Sequence, residues 1–245
     1  MTDDMAASQL ERHRLINKTV VCRNMDVNSS PADRGRRRYD SPLRAQQARR
    51  TRQAIVTAAN RLFVARGYAG TSLADIARDA AVARPTVFSA FGSKVALLRE
   101  VVDQALAGDD EPVPVAERPW FRPVREGRTP QVVLRAYAEV CRVIGGRAAE
   151  IFEVVRRAAD EGPELADLWE AMQRNRRAGA AMVIDRIEAL GLEAHGLDHE
   201  RAVDVVWMFN DPSHYRSLVR DCGWTEREYA AWVADQMHHG LGVDA

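Results

Sequence analysis

The stretch VARPTVFSAFGSK, from Val82 to Lys94, decides how the first part of this chain folds. Pro85 falls in the first turn of a short predicted helix, where its missing N–H costs nothing. Ser93 is expected to cap a second, longer helix with apolar residues at helical spacing. Lys94 opens that helix, although a helix N-terminus is already positive and favours an anion. We therefore predict that a phosphate docks at this corner.

Toward the N-terminus, TRQAIVTAANRLFVARG predicts a helix that ends near Gly67. Ser72, with Asp75 three residues later, is a near capping box for the short helix LADIARDA. Alanines fill the tight connection to the next short helix. Two short helices joined by a tight turn and docked on a longer helix predict a helix-turn-helix.

The second short helix is predicted to expose side chains that reach the edges of DNA bases. Arg84, Thr86 and Ser89 suit base and phosphate contacts, and Val87 suits a thymine methyl group. Phe88 is predicted to belong to the core.

Net charge is distributed unevenly along the chain. Residues 1–52 hold 12 basic and 6 acidic side chains, residues 53–94 hold 5 and 2, and residues 95–245 hold 18 and 27. A basic front and an acidic back indicate that the front meets a polyanion. Residues 1–48 lack helical periodicity and predict a disordered basic arm, with Met1 and Met25 both open as starts. Arg44, Arg49, Arg50 and Arg52 are placed to meet the DNA backbone or minor groove.

The rest of the chain alternates helical periodicity with turn residues. Four prolines between Gly108 and Thr129 predict an irregular connection. Helices are expected near 130–144, 147–160, 163–190, 198–210, 213–221 and 225–240, with Gly145 and Gly146 as a break between the first two. We expect the last of these helices to form a dimer interface through Val203, Val206, Trp207, Tyr229, Trp232, Val233 and Met237.

The stretch AIVTAANRLFVARGYAGTSLADIARDAAVARPTVFSAFGSKVALL resembles the N-terminal domain of the TetR family of transcriptional regulators. The resemblance spans residues 51–106, and the chain departs from it at Ala81 and Pro85, where glycine is usual, at Phe88 for tyrosine, and at Ala90 for histidine. If the turn keeps the family geometry, Ala81 has a positive φ; otherwise the turn is right-handed. Residues from about 204 to 237 also resemble the closing helices of a family branch.

The resemblance implies an all-α fold with a three-helix DNA-binding domain followed by a helical ligand-binding and dimerisation domain. The expected division is a basic arm at 1–48, the DNA-binding domain at 49–108, a connecting loop at 109–129 and the effector domain at 130–245. The candidate DNA-binding residues are Arg49, Arg50, Arg52, Thr71, Ser72, Arg84, Pro85, Thr86, Val87, Ser89 and Lys94.

The implied function is a homodimeric repressor that binds a pseudo-palindromic double-stranded operator and is released by a small effector of unknown identity. The candidate pocket residues are Tyr137, Cys141, Phe152, Trp169, Met172, Met182, Trp207 and Asn210. Each one alone is more simply explained as ordinary core, whereas their clustering as a group favours a pocket. The alternative is a constitutive regulator whose C-terminal domain only dimerises, which a core without a cavity would favour.

Other classes of function find little support in the sequence. Cys22, Cys141 and Cys222 show neither disulfide nor zinc spacing. His195, Asp198 and His199 are close in sequence, but Gly196 interrupts them, so we expect no metal and no cofactor. The C-terminal half has no nucleophile–base pair, so we expect no enzyme. No apolar run or signal pattern indicates a membrane, which predicts a cytoplasmic protein.

Overall fold

The computed structural model describes residues 42–191, 194 and 196–243, which are helical and contain no strand. These residues form two compact units that divide between Val101 and Val102. The predicted all-α class is confirmed. The expected arm at residues 1–41 and His195 lie outside the described residues.

The N-terminal unit consists of α1 (Pro42–Arg66), α2 (Leu73–Asp79), α3 (Arg84–Phe91) and the first part of α4 (Lys94–Ala107). Its core contains the residues that the periodicity selected, including the fully buried Ile55, Phe63 and Ile76. Ser72 forms the predicted capping box with Asp75. The Ser93 hydroxyl accepts the Ala96 N–H at 3.0 Å, so both predicted caps are confirmed.

The start of α1 differs from the prediction. The helix begins at Pro42, whereas order was expected near Arg49, so the predicted arm extends too far at its C-terminal end. Residues 43–50 are all exposed. This segment is helical because its residues have high helix propensity, although it buries no apolar face. Apolar periodicity detects only helices that bury one face, so it did not predict this part of α1.

The turn between α2 and α3 is left-handed at Ala81, whose φ is 53°. The Ala81 N–H donates to the Arg78 carbonyl at 3.2 Å, and the Val82 N–H donates to the Ala77 carbonyl at 2.9 Å. These two hydrogen bonds terminate α2, and Ala81 takes the left-handed position that follows the helix, where glycine is preferred. The family geometry is therefore kept with alanine in place of glycine.

The C-terminal unit contains α5 (Arg122–Glu126), α6 (Pro130–Ala158), α7 (Pro163–Glu188), α8 (His199–Phe209), α9 (Pro212–Tyr215) and α10 (Glu226–Leu241). A π-helical turn, Arg216–Asp221, follows α9. The expected connecting loop at 109–129 holds two 3₁₀ turns and α5. Phe121 and Val124 from this segment are buried in the core of the C-terminal unit, so the segment is part of that unit.

The predicted break at Gly145 and Gly146 is wrong, because α6 runs through both residues. A Cβ at Gly145 would lie 2.6 Å from the Cβ of Tyr215. The glycine therefore serves the close approach of Tyr215 to α6 rather than a turn. Tyr215 is fully buried, and its hydroxyl donates to Glu226 at 2.7 Å.

Candidate functional site

Helix α3 exposes most of the side chains that were predicted to read DNA. Arg84, Pro85, Thr86 and Ser89 are exposed. Val87 is fully buried, so it is withdrawn from the candidate interface. It anchors α3 in the core of the N-terminal unit, and a thymine methyl group has no access to it.

Phe88 was predicted to be core, and this prediction is wrong. Its side chain is 64% exposed on the same helix as Thr86 and Ser89. Helical geometry explains the error: Val87 and Phe91 are four residues apart and share the inward face, whereas Phe88 is rotated about 100° away from Val87. An exposed phenylalanine on this helix therefore joins the candidate interface.

Thr71 is also withdrawn, because it is only 1% exposed. Its hydroxyl is bonded to the carbonyl oxygens of Leu62 at 3.1 Å and Gly67 at 2.9 Å. It therefore closes the turn after α1. Its neighbour Ser72 is exposed and uses its hydroxyl to cap α2 at Asp75, where the resulting hydrogen bonds lower the pKa of the Asp75 carboxyl.

Lys94 is the first residue of α4, and its ammonium group is bound by groups of the protein itself. Its ammonium donates to the carbonyl oxygens of Tyr68 at 2.9 Å and Thr71 at 3.1 Å. It also lies 3.8 Å from the centroid of the Tyr68 ring. Two carbonyl dipoles and a π face thus offset the unfavourable helix end. A phosphate contact by Lys94 stays a prediction.

Arg52 was assigned to the residues that precede the first helix, but its side chain makes several contacts within the N-terminal unit. Its guanidinium donates to the Ala90 carbonyl at 2.8 Å and to Glu100 at 2.6 Å. It also stacks 4.1 Å over the Phe91 ring. Arg52 therefore ties α1 to the end of α3 and to α4, while Arg49 and Arg50 are exposed on α1.

The N-terminal unit is strongly basic. Residues 42–101 hold ten basic and three acidic side chains, a net charge of +7. Each of the three acidic residues forms an ion pair with an arginine of the same unit. Such a surplus favours a polyanionic partner, and DNA phosphates supply that charge.

Comparison with known proteins agrees with this geometry. Residues 55–101 match the family model described as bacterial regulatory proteins, tetR family. The HTH-type transcriptional regulator TtgR of Pseudomonas putida is 25% identical over 170 residues, which cover 68% of this chain and 79% of TtgR. These matches identify residues 55–101 as a tetR-type DNA-binding domain.

Solved structures share the fold. NalD, the secondary repressor of the MexAB-OprM multidrug efflux pump in Pseudomonas aeruginosa, matches with a TM-score of 0.62 at 21% identity, covering 82% of this chain and 100% of NalD. The TetR family regulator PfmR from Thermus thermophilus matches with a TM-score of 0.56 at 20% identity, covering 76% of this chain and 98% of PfmR. These matches show that the chain shares the fold of these regulators. None of the described helices is long and apolar enough to cross a bilayer.

The C-terminal unit contains a partly open cavity of about 130 Å³. Six of the eight predicted pocket residues line it, namely Tyr137, Cys141, Phe152, Met172, Met182 and Asn210. Burial raises the pKa of the Cys141 thiol to about 12, so the thiol is neutral. The cavity lining is otherwise largely apolar, as small-molecule sites usually are.

Two predicted pocket residues do not line the cavity. Trp169 packs edge-on against Phe152, with ring centroids 6.4 Å apart. Trp207 lies beside the cavity wall, where its carbonyl accepts a hydrogen bond from Arg176 at 2.8 Å. Arg176 itself lines the cavity and was missed, because a lone arginine in an arginine-rich chain gives no sequence signal.

The predicted dimer residues are mostly used inside the protomer. Val203, Val206, Tyr229, Val233 and Met237 are buried, so they are not available to a partner. Four half-buried rings lie close together instead, with neighbouring centroids about 6 Å apart: Phe209 at the end of α8, His214 in α9, Trp224 just before α10 and Trp232 in α10. We call these four residues the aromatic patch; Met208, 53% exposed, is next to Phe209 in sequence.

Of the three residues that were weighed as metal ligands, Asp198 and His199 are described, and their side chains make separate contacts. The Asp198 side chain caps α8 by accepting the Arg201 N–H at 2.9 Å. His199 instead lies beside α7, with its Nδ1 3.0 Å from Glu188 and its Nε2 3.8 Å from Asp185. Through these contacts His199 joins the start of α8 to the end of α7.

Thr86 and Val87 make a matched pair for testing the assignment of α3. Thr86→Ala should reduce the preference for operator over random DNA by about 1–3 kcal/mol, because it removes a base contact. Its free energy of unfolding should change by less than about 0.5 kcal/mol. Val87→Ala should lower the free energy of unfolding by about 1.5–3 kcal/mol, because it empties a buried site.

The measurements are fluorescence anisotropy on operator and random duplexes at one fixed salt concentration, and chemical denaturation. The operator is recovered by selecting DNA fragments that the purified protein retains. If Thr86→Ala keeps the full preference for operator while Val87→Ala loses it at unchanged stability, the assignment of the faces of α3 is wrong.

Proposed function

We propose that this regulator is a repressor that binds a pseudo-palindromic operator as a homodimer and leaves it when a small molecule fills the C-terminal cavity. The cavity is the observation that carries the proposal. A regulator whose C-terminal half only dimerises has no use for an apolar space of about 130 Å³ inside that half. Voids of this size are costly in ordinary cores.

Helix α4 supplies a physical route for the response. It begins at Lys94, which holds the turn after α1, and its last turn contributes Leu106 and Ala107 to the cavity wall. A ligand that binds better to one position of this helix shifts the population toward that position. Recognition helices of a dimer must match major grooves about 34–36 Å apart, so small changes in their spacing weaken binding.

The release of DNA is tested with a cavity-filling variant. Compounds that raise the Tm of the purified protein are titrated into its complex with the selected operator. We expect a subset to release the DNA, because coupling between a ligand site and a DNA site is typically about 1–3 kcal/mol. Met182→Trp should abolish both the Tm increase and the release, because the indole occupies the cavity.

Val132→Trp is the control, because Val132 is 42% exposed and does not line the cavity. It should keep both responses. Compounds that bind the cavity and leave operator affinity unchanged would contradict effector release and support the constitutive alternative.

The homodimer is proposed to form through the aromatic patch. Its half-buried rings and the exposed Met208 leave apolar surface accessible, and such rings are enriched at protein interfaces. A two-fold interface places the same patch on both copies. This assignment replaces the five buried residues that the sequence had suggested.

Light scattering at micromolar concentration tests the patch. The wild-type chain should have twice its mass of 27.4 kDa. Met208→Glu should shift the mass toward a monomer, because a carboxylate is buried without a partner at the interface. Val132→Glu introduces the same charge at an exposed site elsewhere and should remain dimeric. A dimeric Met208→Glu protein would show that the interface lies elsewhere.

A further inference from the structure

The chemistry of the cavity wall constrains what the cavity accepts. Arg176 is the cation of the wall, and its side chain is only 9% exposed. Its Nε donates to the Asn210 side-chain oxygen at 3.1 Å, and one terminal nitrogen donates to the Trp207 carbonyl at 2.8 Å. The other terminal nitrogen pairs with Asp211 at 2.8 Å and donates to Gln173.

These contacts commit Arg176 to the protein. A carboxylate ligand would have to displace Asp211 from the guanidinium and leave that carboxylate without its cation. Breaking a largely buried pair in this way is strongly unfavourable. Asp103, the other charged residue of the lining, is half-buried and already has an interaction partner. The wall therefore offers a ligand neither a free cation nor a free anion.

Asn175 also lines the wall and already has an interaction partner, and Tyr137 provides a further polar group. Its hydroxyl oxygen accepts a hydrogen bond from the Asn210 amide at 2.9 Å. The second Asn210 donor is taken by the Arg176 carbonyl at 3.1 Å. Among the hydrogen bonds of the described residues, none takes the hydroxyl proton of Tyr137. Burial raises the pKa of Tyr137, so the group remains a neutral donor.

The cavity size limits the ligand as well. A space of about 130 Å³ is close to the ~150 Å³ of an apolar cavity that holds benzene. Gly179 lines the cavity beside Tyr137, and a Cβ there would lie 3.4 Å from the tyrosine oxygen. The open space next to the hydroxyl thus depends on a residue without a side chain.

We propose that the cavity takes an uncharged, largely apolar molecule of about one aromatic ring, whose single hydrogen-bond acceptor receives the hydroxyl proton of Tyr137. This proposal rests on the proposed function only in its claim that ligand binding releases DNA. The binding of the ligand depends on the cavity alone. Acceptors of this kind are the oxygens of aryl ketones, aldehydes, esters and ethers.

Four probes of similar size test the inference by calorimetry on the full chain without DNA. Acetophenone has the ring and one acceptor, ethylbenzene lacks the acceptor, and benzoate and benzylammonium are charged. Acetophenone should bind about three- to tenfold more tightly than ethylbenzene, the gain of one neutral hydrogen bond. The two charged probes should bind at least about tenfold more weakly than acetophenone, because their charges are desolvated without a partner.

Two variants make the test specific. Tyr137→Phe should reduce acetophenone affinity to that of ethylbenzene and leave ethylbenzene affinity unchanged. Gly179→Ala should weaken both neutral probes while the protein stays folded, because alanine suits a helix interior better than glycine. Tyr229→Phe is the control. The buried Tyr229 hydroxyl has no hydrogen-bond partner among the described residues and does not line the cavity, so all affinities should be kept.

Each alternative outcome overturns the inference. Tighter binding of benzoate would mean that Arg176 exchanges Asp211 for a ligand anion, and tighter binding of benzylammonium would assign the site to Asp103. An equal loss of both neutral probes in Tyr137→Phe would make Tyr137 structural only. If no probe binds, the ligand class is wrong, whereas release of operator by other cavity-binding compounds would still support the proposed function.

Discussion

The direction of α3 depends on one left-handed residue. Ala81 turns the chain immediately after α2, and the bonds from Ala81 to Arg78 and from Val82 to Ala77 lock that turn. Helix α3 then starts at Arg84 with Pro85 in its first turn. The exposed side chains of α3, which are the candidate DNA contacts, take their positions from this geometry. An alanine in this conformation carries strain of about 1–2 kcal/mol, which the surrounding packing must offset.

Two basic residues link the elements of the unit around this turn. Lys94, at the start of α4, binds the backbone at Tyr68 and Thr71, just before α2 begins, and Arg52 of α1 binds the last turn of α3 at Ala90. Both residues were predicted to contact DNA, and that contact stays a prediction. Their bonds within the unit help a short helix with one buried residue, Val87, to keep its orientation.

The sequence predicts the N-terminal unit well because its signals are local. Apolar spacing and caps such as Ser72 and Ser93 depend on residues a few positions apart. The burial of Val87 and the exposure of Phe88 could not be predicted in the same way. On a short helix, neighbouring residues point in directions about 100° apart, so a small error in the helix orientation exchanges the buried and exposed faces. The helix break predicted at Gly145 was wrong for a different reason. The glycine makes room for Tyr215, which lies seventy residues later in the chain. The cavity was found largely from aromatic and sulfur-containing residues, yet Arg176, which decides its charge, gave no pattern.

The most direct test compares glycine at two adjacent positions. Ala81 has a φ of 53° and Ala80 a φ of −80°. Hydrogen exchange of the segment 73–91 measures its free energy of opening. Ala81→Gly should raise this free energy by up to about 1 kcal/mol, because relief of strain exceeds the added freedom of the unfolded chain. Ala80→Gly should lower it by about 0.4–1 kcal/mol, since only the unfolded chain gains. A decrease in both variants would contradict a strained turn at Ala81 as the element that sets the recognition helix.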